Sequence, residues 1–358
     1  MWPDRRLLEL FGIEHPIVLS PMGGAMDWEL TLAVAQAGGL GSLPCMMYTA
    51  ERVRDEVGKF RAGTKAPLSL AFFTHNHVPP DNAREAAWRD RLRPYYLELK
   101  LDPNAWVPGP PRAPFNDETC ALVEELRPEV ASFHFGLPEP RLLARVKAAG
   151  CKVISSATTV AEARWLEEQG CDAIIAQGAE AGGHRGVFLS DDISTQAGTF
   201  ALIPQVADAV KVPVIAAGGI GDARGIAAAF ALGAAGAQLG TAYLHCPESK
   251  ISAPHREALT KAQDNSTTLT NVMSGRPARG IVNRLIREQG PISDVPAFPY
   301  AANAVAPLRA AAEKQGSGEF SPLWSGQAAA LGKALPAREF TRQLAAEAQA
   351  RLKALAGR

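Results

Sequence analysis

The chain has no excess of charge: across 358 residues Lys plus Arg and Asp plus Glu each number 37, for a formal net charge of +0. No arm or helix gathers the basic residues, so the electrostatic footprint of a nucleic-acid-binding protein is missing. Cysteine is sparse as well. Cys45, Cys120, Cys151, Cys171 and Cys246 are odd in number, widely spaced and never form a Cys-x-x-Cys pair, which points away from a disulfide framework or a zinc ribbon. Long hydrophobic runs are also lacking: the longest uncharged apolar stretch, Ile226 to Ala237, falls short of the ~20 residues that span a bilayer. Glu9 stands where a signal peptide would need its apolar core. These absences predict a cytoplasmic, globular protein with neither a membrane nor a nucleic-acid partner.

What the chain does have is core. Hydrophobic residues make up 47% of it, enough for one large barrel with an appendage or for two ordinary domains. Over the first 245 residues short apolar runs alternate with helical patterns: Pro16–Ser20, Gly39–Leu43, Leu68–Phe73, Val130–Phe135, Lys152–Ser156, Ala173–Ala176, Val212–Ala216 and Ala235–Leu239. Most are solid Val, Ile, Leu and Ala rather than alternating, as in parallel strands covered on both faces. Eight such units predict an α/β fold, a closed (β/α)8 TIM barrel of ~250 residues, rather than an open doubly wound sheet. Thr159 with Glu162 reads as a capping box, and Asp222 and Asp27 read as N-caps of barrel helices.

Two regions break the pattern. Residues 74–116 are crowded with prolines and far exceed an ordinary βα loop, so they read as an insertion over a barrel face, helical around Ala83 to Leu99. After Tyr243 the βα alternation stops. Residues 249–312 read as a helical cap, and 313–358 as a returning segment whose last helix opens at Pro336 and stripes Phe340, Leu344, Leu352 and Leu355 on one face. Residues 1–248 are then the barrel domain.

Chemistry concentrates in Gln177-Gly178-Ala179-Glu180-Ala181-Gly182-Gly183-His184-Arg185-Gly186, which follows a short buried run and sets one histidine among four glycines. Barrel active sites lie at the C-terminal ends of the strands, and a phosphate is often held by the last two loops. Those loops are Gly218-Gly219-Ile220-Gly221-Asp222 and Gln238-Leu239-Gly240-Thr241, with backbone amides, a helix N-terminus and a hydroxyl suited to an anion. Taken singly, either set of glycines could merely make a tight turn. His134, ending the fourth run, could be a packing residue or a site residue. His75 and His77 lie two apart but lack a third ligand, so no metal is expected.

The 177–186 stretch, together with Ser132-Phe133-His134-Phe135-Gly136, Ala216-Ala217-Gly218-Gly219-Ile220, Met273-Ser274-Gly275-Arg276 and Trp324-Ser325-Gly326-Gln327, resembles the nitronate monooxygenase (2-nitropropane dioxygenase) family, class I, over nearly the whole chain. The resemblance implies a TIM barrel holding FMN under a helical second domain. It makes His184 the catalytic histidine and places Gln177, Gly182 and Gly183 along the flavin ring and ribityl chain. Gly218, Gly219, Gln238, Gly240 and Thr241 would hold the phosphate, Met22 would lie beside the ring, and Gly326 with Gln327 would close the site. His134, His255 and Tyr300 would face the substrate.

The resemblance further implies oxidation of alkyl nitronates, propionate 3-nitronate among them, with O2 through a flavin semiquinone, giving an oxo compound and nitrogen oxides. His184 could stabilise the nitronate as a cation or act as a base when neutral. Three departures bear on substrate preference: Ala71 replaces an asparagine, His255 replaces a tyrosine, and proline-rich sequence near Pro110 replaces another aromatic. An NAD(P)H-dependent flavin reductase of the same barrel family, either an enoyl-acyl carrier protein reductase or an NADH:quinone reductase, is the alternative. A non-catalytic FMN-binding barrel is a third reading.

Overall fold

The computed structural model describes residues 1–104 and 113–357. Pro110 therefore lies outside the described residues. Every strand run of the sequence is a strand: β1 Ile17–Leu19, β2 Gly41–Leu43, β3 Leu68–Phe73, β4 Val130–His134, β5 Lys152–Ala157 and β6 Ala173–Gln177 are followed by a short β7, Gly183–His184, and then by β8 Val214–Ala217 and β9 Gly236–Leu239. All but β7 form one parallel sheet in the order β1-β9-β8-β6-β5-β4-β3-β2. The seam between β1 and β2 is closed by a parallel bridge from Val18 to Leu40, with the Leu40 N–H donating to the Ile17 carbonyl at 2.9 Å. The fold is a TIM barrel.

The two-residue period of these strands decides which side chains meet the site. Ile17, Leu19, Leu68, Leu70, Phe72, Ile174, Ala176, Val214 and Ala216 point outward into the shell shared with the helices. The alternate positions Val18, Val130, Ile154, Ile175 and Ile215 fill the barrel interior, plugged from below by Leu7 and Phe11 of the first helix. Moving up the same inward parity, β4 continues to Ser132 and His134, β5 to Ser156, β6 to Gln177 and β9 to Gln238. The apolar plug thus gives way to polar groups toward the C-terminal ends.

The helix caps at Asp27 and Asp222 form as expected. At Thr159 only half of the capping box forms: its hydroxyl accepts from the Glu162 N–H, but the Glu162 carboxylate does not return to Thr159. It accepts instead from Thr158 N–H and O–H at 2.7 Å each and from the Phe188 and Leu189 amides, fastening the loop after β7 to the barrel wall. The C-terminal helix, Ala337–Ala356, buries Phe340, Thr341, Leu344, Ala345 and Ala348, whereas Leu355 in its last turn is exposed.

The insertion helix, Asn82–Glu98, joins the cap. Trp88, Leu92, Tyr95 and Tyr96 share a hydrophobic cluster with Val272, Leu285, Ala301, Val305 and Leu308. The region that reads as a helical cap also contains β10 Thr267–Thr270 and β11 Ala278–Ile281, which pair with each other, and β11 pairs antiparallel with β7. This three-stranded sheet ties the cap to the histidine stretch. Among the described residues no helix is long and apolar enough to cross a membrane.

Candidate active site

A cavity of about 1020 Å³ opens at the C-terminal ends of the barrel strands, between Ser20 after β1, Phe73 of β3, His134 of β4, Ser156 of β5, Gln177 of β6, Gly218 after β8 and Gly240 after β9. Ligand sites are commonly ~300–1,000 Å³, so it has room for a large cofactor with a small substrate beside it. The cap supplies the opposite wall through His255, Met273, Ser274, Tyr300 and Trp324.

His184 stands where barrel and cap meet. Rather than lying in a free glycine loop, it is in register with Ala278 of β11. Its carbonyl accepts from Gln177 Nε2 at 3.0 Å and bonds His134 Nε2 at 3.2 Å, while its own Nε2 meets Ser274 Oγ at 2.9 Å. Phe73, Phe135, Phe298 and Trp324 surround the ring, with centroids 5.3 to 6.1 Å away. Phe135 holds a φ of 75°, unusual for a bulky residue and of the kind found where a site over-determines the backbone.

Next in sequence, Arg185 is fully buried and gives its guanidinium to the Gln177 and Gly178 carbonyls at 2.8 and 2.7 Å and to Gln196 Oε1. Burial pulls its pKa down to about 10. These bonds, with the Gly186 N–H on Gln177 Oε1, close the 177–186 loop on itself, so the glycines serve close approach rather than mobility. At Gly182 an added Cβ would lie 2.4 Å from the Gly326 nitrogen. At Gly183, with φ of 72°, it would meet nothing within 4 Å.

His134 has its Nδ1 on Ser156 Oγ at 3.0 Å, and since a carbonyl only accepts, its Nε2 carries the proton toward His184. Burial lowers its pKa to about 4. His255 donates from Nε2 to the Trp324 carbonyl at 3.2 Å, and burial likewise lowers its pKa to about 4. Tyr300 borders the cavity, but its hydroxyl is turned to the Val78 carbonyl at 2.9 Å.

Met22, Gln177, Gly182, Gly183, Gly218, Gly219, Gln238, Gly240, Thr241 and Gly326 all line the same cavity, although they come from five separate stretches. Gly218 and Gly219 take φ of 109° and 68°, which only glycine adopts at little cost. Thr241 Oγ1 accepts the Gly326 N–H at 2.9 Å, leaving its own proton for an anion. Gln327 stands apart: its side chain is exposed and only its N–H is engaged, on the Glu180 carbonyl at 3.0 Å. Ala71 is buried and faces the cavity between Cys45 and Ser132. His75 is buried among Phe73, Phe135 and Phe298, whereas His77 is exposed. Among the described residues no cluster of three or more His, Cys, Asp or Glu could hold a metal ion.

Sequence reasoning passed over the aromatic enclosure, Arg185 and Ser274 as parts of the site. Parity would have found Phe73, which shares the inward phase of Ala71. Ser274 and Trp324 carry no such signal, because only the β7–β11 pairing brings them to His184.

A sequence model of the nitronate monooxygenase family matches residues 4–347. The chain belongs to the nitronate monooxygenase family. A nitronate monooxygenase of Pseudomonas aeruginosa is 41% identical over 346 residues, covering 96% of this chain and 98% of that one. A probable nitronate monooxygenase of Staphylococcus aureus is 36% identical over 339 residues, covering 94% and 95%. Among solved structures, the nitroalkane oxidase of Streptomyces ansochromogenes superposes with a TM-score of 0.89 at 38% identity over 98% of this chain and 99% of that one. FabK of Thermotoga maritima gives 0.73 at 26% identity, covering 100% and 99%. The family is one of oxidoreductase enzymes acting on small molecules, and it and FabK are flavoenzymes in general.

Proposed function

We propose that the protein oxidises alkyl nitronates with O2, using FMN held at the C-terminal face of the barrel. The observation that carries this reading is the position of His184, fixed by backbone and side-chain bonds at the junction of a glycine-lined cavity and an aromatic cap. The residues present fit a flavin mononucleotide. Gly183 leaves open space where a Cβ would project, the loop after β8 presents left-handed glycines and the N-terminus of the helix Ala223–Ala231, and the loop after β9 presents the Thr241 hydroxyl.

In this reading Gly218, Gly219, Gln238, Gly240 and Thr241 hold the phosphate. Gln177, Gly182, Gly183 and Met22 lie along the ring and ribityl chain, and Gly326 closes that end. The flavin supplies the electron acceptor. His184 faces the nitronate, stabilising its charge if protonated or accepting a proton from a nitroalkane if neutral. The cap excludes water and shapes the substrate space, with His255 and Tyr300 on its wall. The domains are then the barrel 1–248, the cap 249–312 augmented by the helix Asn82–Glu98, and the returning segment 313–358.

Oxygen consumption by the purified yellow protein tests this, with propionate 3-nitronate and a series of alkyl nitronates as substrates. Turnover of at least one nitronate, with FMN released on denaturation, is the expected result; FAD, or full flavin with no nitronate turnover, sinks the reading. The likeness to FabK supports a second reading, a flavin reductase taking hydride from NAD(P)H. Anaerobic bleaching of the flavin by NADH, without turnover of nitronates, would favour it.

A further inference from the structure

The contact between His184 and Ser274 determines more than a position. Ser274 is 4% exposed and sits in the turn Asn271–Gly275 of the cap, where the Ser274 and Gly275 amides both return to the Asn271 carbonyl. Its hydroxyl lies 2.9 Å from His184 Nε2, donates to the Arg276 carbonyl at 3.2 Å and accepts from the Arg276 N–H at 3.4 Å. A hydroxyl has one proton and two lone pairs. With the proton on the Arg276 carbonyl, both lone pairs are acceptors, and the one facing His184 requires an N–H there. The opposite arrangement would place the hydroxyl proton on Nε2 and leave two bare oxygens, Ser274 Oγ and Arg276 O, in contact.

We infer that Ser274 is a positioning residue that holds His184 as the Nε2–H tautomer, so that Nδ1 is the nitrogen whose protonation changes. Because Ser274 belongs to the cap and His184 to the barrel stretch, cap docking and the proton position of the histidine are linked. From the barrel side, Gln177 and His134 bond the His184 carbonyl, and Phe73 and Phe135 pack around its ring. The hydrogen bond from the cap reaches Nε2 itself. The mechanistic importance of this role rests on the reading of His184 as the group that meets substrate; the tautomer itself does not.

The test is ¹⁵N NMR of the imidazole nitrogens in flavin-loaded protein labelled on its 7 histidines, followed through a pH titration with His184 assigned by its loss in His184→Asn. The expected wild-type result is a neutral Nε2–H form that gains its proton at Nδ1. In Ser274→Ala the two neutral tautomers should mix, and the pH profile of kcat/KM should shift while KM for a nitronate changes by less than about threefold. A neutral Nδ1–H form in the wild type overturns the inference without any variant, and so does an unchanged tautomer in Ser274→Ala. Full activity of His184→Asn would instead overturn the proposed function and leave the tautomer result standing.

Discussion

The two walls of the cavity are built on different principles. The barrel wall comes from strand ends in one parallel sheet, and much of what it presents is backbone: Gly182, Gly183, Gly218, Gly219 and Gly240. The cap wall, His255, Met273, Ser274, Tyr300 and Trp324, presents side chains, and behind it residues 82–98 join the aromatic and aliphatic cluster that holds the cap together. A sheet fixes backbone positions cooperatively, which suits a surface that must match one cofactor. A wall of side chains can be recut one residue at a time without disturbing the sheet. At the two described positions where the resemblance implies a departure, the barrel wall presents the Ala71 methyl and the cap wall presents His255.

The largest effect that tests this division is at His184, the junction. His184→Asn should keep the fold and the flavin and lower kcat/KM on nitronates by about 10²–10³, as loss of one transition-state contact in a buried site does. His134→Asn loses its bonds to Ser156 and to the His184 carbonyl, so its Tm should fall first and its rate by about tenfold at most. Steady-state kinetics beside thermal melts separate the two. If His184→Asn stays within a few fold of wild type, the junction is structural.

Next comes the backbone wall. In Gly182→Ala the new Cβ would fall 2.4 Å from Gly326 N and 2.6 Å from Ser325 C, neither of which can rotate away. Loss of flavin on gel filtration and destabilisation by about 3 kcal/mol are expected. Gly150→Ala is the complementary case: its φ of 93° strains an alanine although nothing lies within 4 Å of the new carbon, whereas at Gly182 no left-handed φ adds to the close approach. The Gly150 change should cost about 1–2 kcal/mol and release no flavin. Equal flavin loss in both would show that general destabilisation, rather than close approach at the site, releases the flavin.

Each wall also carries a histidine whose pKa desolvation lowers to about 4 from the ordinary 6.5, His134 on the barrel and His255 on the cap. Between those values the unfolded chain binds protons that the folded one refuses, so stability is full above about pH 6.5 and is lost as pH falls toward 4. At ~1.4 kcal/mol per pH unit, each group contributes at most about 3 kcal/mol. Urea midpoints from pH 7 to 4.5 should fall in the wild type and fall less steeply in His255→Asn, the remaining slope being shared by His134 with His15 and His245, whose pKa values burial also lowers. An unchanged slope would mean that the cap histidine is protonated in the folded protein.

The barrel was readable because its strands obey a simple rule. Solid apolar runs such as Ala173–Ala176 and Val212–Ala216 mark strands covered on both faces, and parity then places Gln177 and His134 toward the site. The cap was not readable in the same way. Nothing in Trp88 or Tyr96 announces that their partners are Ala301 and Ala304, over 200 residues away. Likewise β7 is two residues long and has no strand signature of its own; it exists because β11 lies beside it. Gln327 illustrates the limit of motif reasoning, since its backbone takes part in the closure while its side chain faces solvent.

The smallest effects concern how the helix Asn82–Glu98 is held on the cap. The buried Tyr96 hydroxyl donates to the Ala304 carbonyl at 2.6 Å, and Glu98 forms a two-point pair with Arg284 at 2.6 and 2.9 Å on a more exposed flank. Tyr96→Phe should cost about 1 kcal/mol, the ordinary net worth of such a bond with its acceptor left behind. Glu98→Gln should cost less than about 1 kcal/mol, and its effect should shrink further at 0.5 M salt, because exposed pairs are screened. The helix reaches the cavity only indirectly, through Val78 just before it and the Tyr300 hydroxyl bound there. Loosening it should therefore raise KM for a nitronate by about twofold and leave kcat alone. If Glu98→Gln proves the costlier change and salt does not soften it, the helix is held by its charged flank, and the aromatic cluster is not what joins the two parts of the cap.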